Sequence, residues 1–164
     1  MKDDIIYSQT TRCVGEKNNV DTFKLGIKRL EESKFDHANL NFFEIQELLD
    51  KNNYEEIFND LVDFLNASSI TFNIAHAPIH YPFFFNTYYK RDDVEVLKNR
   101  ILKSLDISKR VGVKRIVIHV GTYLDENYNY DMEKSIEHNI KYLEPFVEKA
   151  VESNILVAIE NGTQ

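Results

Sequence analysis

The feature that most constrains this chain is a regular beat of short apolar runs set between longer amphipathic segments. "FDHANLNF" (35–42), "ITFNIAH" (70–76), "RIVIHVG" (115–121) and "ILVAIEN" (155–161) are each short enough for a strand, and each ends on polar or turn residues. Residues 94–111 place Val94, Leu97, Ile101, Leu105 and Val111 close to helical spacing. Asp92 and Glu95 are set like a capping box at the start of that segment, and Gly112 marks its end. Residues 132–152 place Ile136, Ile140, Leu143, Val147 and Val151 on one stripe, with Pro145 expected to kink the helix or to open a second one. Shorter helical patterns cover 54–66 and 21–33, and "DIIYS" (4–8) reads as an opening strand.

Strand and helix in alternation is the grammar of parallel βα units. Residues 116–118 and 155–159 are near-continuously apolar, as strands buried on both faces are. Two architectures fit about five such units. A doubly wound sheet is complete at this length, whereas a (β/α)8 TIM barrel needs about 250 residues. Periodicity does not choose between them. The chain has five glycines and carries neither G-x-G-x-x-G nor G-x-x-x-x-G-K-[ST], which counts against the nucleotide-binding version of the first.

With 164 residues and no linker or low-complexity stretch, a single domain spanning 1–164 is expected. The formal net charge of −7 works against sequence-independent nucleic-acid binding, which depends on Lys and Arg neutralising phosphates. No run is long enough to span a membrane, and Met1-Lys2-Asp3-Asp4 lacks the apolar core of a signal peptide, so the cytoplasm is the expected location. The single cysteine, Cys13, fits a reducing compartment and is read as a passenger thiol.

The third, fourth and fifth strands end on His76, His119 and Glu160. Parallel strands share one carboxyl edge, so residues far apart in sequence converge there. Two imidazoles and a carboxylate suit Zn²⁺, Mn²⁺ or Fe²⁺ with positions left open for water or substrate. A carboxylate after Ile155-Leu156-Val157-Ala158-Ile159 faces a large desolvation cost unless a cation meets it, and a Lys or Arg would serve as well as a metal. His80 follows His76 by four residues, but Pro78 between them makes the stretch a strand running into a loop, from which His80 is placed to contact substrate. The aromatic "FFFNTYY" after Pro82 reads either as a pocket wall or as a packing or subunit contact. His37 and His138 are assigned no role.

"NIAHAPIHYP" (73–82), "GVKRIVIHVG" (112–121) and "YLEPFVEKAVESNILVAIENG" (142–162) together resemble the xylose-isomerase-like TIM barrels, which include sugar phosphate isomerases and epimerases and the type IV apurinic endonucleases. The resemblance is strongest in the helix carrying "LEP" that runs into a strand ending "IEN". It implies an incomplete (β/α)8 barrel of about five βα units. It implies that Glu160 binds a divalent metal (Mn, Zn, Co or Mg) and sits beside the carbon whose proton is exchanged. His76 and His119 correspond to strand-tip histidines that bind metal or line the substrate pocket. Asn39 stands where many members carry an acidic residue. Three further strands of the family, which supply an Asp, His and a final Glu, have no counterpart within these 164 residues.

The expected activity is a metal-dependent isomerisation or epimerisation of a sugar or sugar phosphate, by proton transfer alpha to a carbonyl, with the chain inactive by itself. Two alternatives stand beside it: phosphodiester hydrolysis at abasic DNA, and a non-catalytic half-barrel. An open five-strand sheet is also expected to form a homo-oligomer or to aggregate unless something completes it.

Overall fold

Among the described residues, five strands pair in parallel in one sheet: β1 (Ser8–Thr10), β2 (His37–Asn41), β3 (Thr71–His76), β4 (Arg115–His119) and β5 (Leu156–Glu160). Their spatial order is their sequence order. That order separates the two architectures left open by the sequence. A doubly wound sheet reverses direction at a switch point, whereas a barrel winds onward one strand at a time. With right-handed crossovers throughout, sequential winding places every helix on the same face of the sheet. The chain is therefore part of a barrel wall. This computed structural model describes residues 8–11, 15–33, 35–79 and 91–160. Cys13, His80, residues 83–89 and all of "DIIYS" except Ser8 lie outside the described residues.

The helices are α1 (Val20–Glu31), α2 (Tyr54–Ala67), α3 (Arg91–Val111) and α4 (Met132–Glu152), with a 3₁₀ segment at Phe42–Asp50 that periodicity does not foretell. Asn19 caps α1 through its side chain, which accepts from the Thr22 N–H, and Asp131 does the same for α4 at Lys134. Gly112, at φ 82°, ends α3 in the left-handed region that a Cβ disfavours. The core joins the outward strand residues Leu40, Ala75, Ile116 and Ile118 to Phe23, Ile27, Phe58, Leu61, Ile101, Leu105 and Phe146 from the four helices. Three residue steps on β3 match two on β2 between His37 and Asn39. This bulge lets Phe72 and Ala75 both face the core and returns His76 to the opposite face.

Several expectations are corrected. Helix α3 starts at Arg91, one residue before the Asp92 expected to open it. Helix α4 runs unbroken across Pro145, without a second helix. Its core-facing residues are Ser135, Tyr142, Leu143, Phe146 and Ala150; of the anticipated stripe only Leu143 is buried, while Ile136, Ile140, Val147 and Val151 are exposed. Strand β5 is not buried on both faces, because it is the edge of the sheet: Leu156 and Ile159 are 64% and 58% exposed. Ile159 lies on the helix-bearing face, where nothing among the described residues covers it.

Candidate metal centre at the strand tips

Strand register places the three candidate ligands on one face. His76 pairs with Val117 and Val117 with Ala158, while two residues further along His119 pairs with Glu160. Side chains two apart on a strand share a face, so His76, His119 and Glu160 all lie opposite the helices, on the side that lines a barrel's interior. Ile116 and Ile118, one step away on β4, are fully buried beneath the helices. The alternation thus anchors the strand on one face and presents an imidazole on the other.

The three side chains converge. One ligand atom from each lies within 4.8 Å of the other two, and they are the one such group of three among the described residues. The His119 Nε2 is 3.8 Å from the Glu160 Oε2, and the His76 and His119 rings stand 6.3 Å apart, tilted by 41°. A divalent cation bonded at about 2.0–2.2 Å to each donor needs the donors roughly 3–3.5 Å apart, so modest side-chain rotation closes the set. The donor chemistry, two borderline nitrogens and one hard oxygen, also fits such an ion. His119 is 12% exposed and Glu160 51%. Burial pushes the His119 imidazole below its usual pKa; the Glu160 carboxylate opposes that shift and His76 adds to it. The net shift favours the neutral form of His119.

Strand β2 brings Asn39 onto the same face and Asn41 level with His76. Neither adds a carboxylate, and the Asn41 side chain is occupied, its Oδ1 accepting from the Phe43 N–H at 3.0 Å. Sequence reasoning missed the residues that fasten the strand tips. The buried Gln46 accepts the Ile79 N–H at 3.1 Å through Oε1, tying down the chain three residues after His76. The Thr11 hydroxyl accepts the Asn41 N–H at 2.8 Å. Asn139 and Ser135, on the first turns of α4, hold Gly121 and Tyr123. A polar residue at a core-facing helix position was the available signal for Ser135. His138 packs on the Tyr123 ring at 4.7 Å, away from the three candidate ligands by sequence and element.

No protein-family model matches the sequence, and no curated protein matches it. Solved structures do match the fold. A D-tagatose 3-epimerase-like protein superposes with a TM-score of 0.68 at 14% identity, over 98% of this chain and 54% of that one. The fold is that of part of a TIM barrel. D-psicose 3-epimerase from Clostridium cellulolyticum H10, solved with D-tagatose, matches at TM-score 0.65 and 12% identity, over 94% of this chain and 52% of that one. The IOLI protein, solved with a bound zinc atom, matches at TM-score 0.59 and 13% identity, over 96% and 51%. The chain spans about half the length of these structures. No helix among the described residues is long and apolar enough to cross a membrane.

Proposed function

We propose that residues 1–164 form the amino-terminal portion of a divalent-metal-dependent sugar or sugar-phosphate isomerase or epimerase. The observation that carries this reading is the convergence of His76, His119 and Glu160 on the interior face of a barrel wall whose structural neighbours include sugar epimerases. In this reading the three side chains hold the cation, which would supply Lewis-acid polarisation of a substrate carbonyl. Glu160 has two oxygens, so one can ligate while the other exchanges the proton alpha to that carbonyl. The neutral His119 contributes a lone pair without adding positive charge to the site. His80, four residues after His76 in sequence, is proposed to contact substrate, together with His76 when that ring is not ligating.

The bare flank of the wall supports completion by further βα units. Each helix packs on the next, α1 on α2, α2 on α3 and α3 on α4, and the far side of α4 carries the exposed Ile136, Ile140, Val147 and Val151. Beside it, β5 offers a backbone edge that no other strand among the described residues pairs with, and the exposed Ile159. One more parallel strand and its helix would cover both surfaces, and such units would also bring the remaining ligands of an open metal site. A second copy of this wall fits less well, since two five-strand walls exceed the eight strands of the barrel.

The test is titration of the metal-free chain with Zn²⁺ and Co²⁺, followed by calorimetry and visible absorption. Binding of one equivalent that weakens at least about 100-fold in each of His76→Ala, His119→Ala and Glu160→Gln is expected. Metal binding that is unchanged in Glu160→Gln overturns the site. For the reaction, exchange of the substrate C–H proton with solvent deuterium by a completed barrel, using ketohexoses and their phosphates, is the expected activity.

A further inference from the structure

Gly121 is a buried residue two positions beyond His119, and one side chain satisfies both of its backbone polar groups. The Asn139 Oδ1 accepts the Gly121 N–H at 2.9 Å, and the Asn139 Nδ2 donates to the Gly121 carbonyl at 2.7 Å and to the Ser135 carbonyl at 2.8 Å. The residue between, Val120, donates its N–H to the Glu160 carbonyl at 3.3 Å. The chain leaving His119 is therefore bolted on one side to the backbone of a second candidate ligand and on the other to α4. A buried backbone group left without a partner is costly, so this amide clamp resists any rotation of the 119–121 segment.

We propose that Asn139 is a positioning residue for the metal centre: its two-point clamp on Gly121 sets the path of the chain beyond His119 and so aims the imidazole at Glu160. This rests on the metal-site reading above. The competing role is a loop anchor that stabilises the fold without affecting the ligands. The structure supplies a control for it. The Ser135 Oγ accepts the Tyr123 N–H at 2.8 Å from the same helix and onto the same loop, but four residues past His119 rather than two. Both contacts anchor the loop, and only the clamp on Gly121 adjoins the ligand.

The experiment measures Co²⁺ affinity and the visible Co²⁺ spectrum in wild type, Asn139→Ala, Asn139→Gln, Ser135→Ala and Glu160→Gln, with urea midpoints of the metal-free proteins in parallel. Groups that orient ligands are worth about 10- to 100-fold in metal affinity. Asn139→Ala is expected to lose that much and to shift the spectrum. Asn139→Gln, which keeps the amide on a longer arm, is expected to fall between, and it carries the comparison if the alanine variant does not fold. Ser135→Ala is expected to lower the urea midpoint while binding Co²⁺ within about threefold of wild type. If Glu160→Gln abolishes binding yet Asn139→Ala and Asn139→Gln bind as wild type does, the positioning role is overturned and the site survives. Equal weakening by Ser135→Ala also overturns it, in favour of a loop anchor. Binding in Glu160→Gln that is unchanged from wild type overturns the site itself.

Discussion

Replacing Ile140 and Val151 together by lysine probes the exposed flank of α4. These residues are 65% and 74% exposed, so in the 164-residue chain neither substitution opens a cavity or buries a charge. Lysine is a better helix former than isoleucine or valine, and near the carboxyl end of α4 it also complements the helix dipole. The stability of the isolated chain should thus change by no more than about 0.5 kcal/mol. Association should change far more. Fully burying an aliphatic side chain is worth about 1.5–3 kcal/mol; scaled by these exposures, the pair holds roughly 2–4 kcal/mol of unrealised transfer free energy. Removing it should weaken any self-association through this face by about 30- to 1,000-fold. Sedimentation velocity from 1 to 100 µM, alongside a urea titration, reads both quantities. In a chain that also carries the units completing the barrel, the same pair would sit in a helix–helix seam and should cost several kcal/mol of stability. Wild-type chain that stays monomeric across the whole concentration range, or a completed barrel indifferent to both lysines, would falsify the view that this flank is built to be covered.

Three further outcomes are expected. Phe146→Ala removes a fully buried ring stacked edge-on against Tyr142 at 5.1 Å and should destabilise by about 3–5 kcal/mol in urea, since little around it can collapse inward. Gly112→Ala meets no atom within 4 Å but must adopt φ 82°, so it should cost roughly 1–2 kcal/mol from backbone strain alone; a neutral result would refute that account. In metal-free protein the His119 ring should titrate below 6.5 by proton NMR, and lower still in Glu160→Gln, where the opposing carboxylate charge is gone. Because the unfolded chain then holds the His119 proton more tightly than the folded one, this group's contribution is fully present above pH 6.5. Stability is lost as the pH falls through 6.5 toward the folded value, and a urea midpoint that rose on acidification through that range would contradict the sign.

How much was legible in the sequence divides along a physical line. The run "RIVIHVG" shows both a strand and the imidazole at its tip, because period-two geometry and the polar residue ending the run are local properties. The same holds for "ITFNIAH" and "ILVAIEN", so His76, His119 and Glu160 were readable as strand tips before any fold was known. Helix α4 shows where local reading fails. Its aliphatic residues Ile136, Ile140, Val147 and Val151 form the more obvious apolar stripe, yet the core takes Tyr142, Phe146 and Ala150 on the adjoining flank. In a barrel wall a helix contacts both the sheet and a neighbouring helix, so two flanks are apolar and hydrophobicity alone does not rank them.

The sequence by itself determined the alternation of strands and helices, the helix end at Gly112, and the chemical character of the three strand tips. Each depends on residues within a few positions of one another. Only the tertiary structure decided that the strands wind in sequence order, that the bulge in β3 returns His76 to the face shared with His119 and Glu160, and that Asn139 bonds to both backbone groups of Gly121. Those depend on hydrogen bonds between segments tens of residues apart in the case of the sheet, and on a polar side chain meeting one buried glycine in the case of the clamp. No periodicity along the chain encodes which distant backbone group a strand or an amide will find.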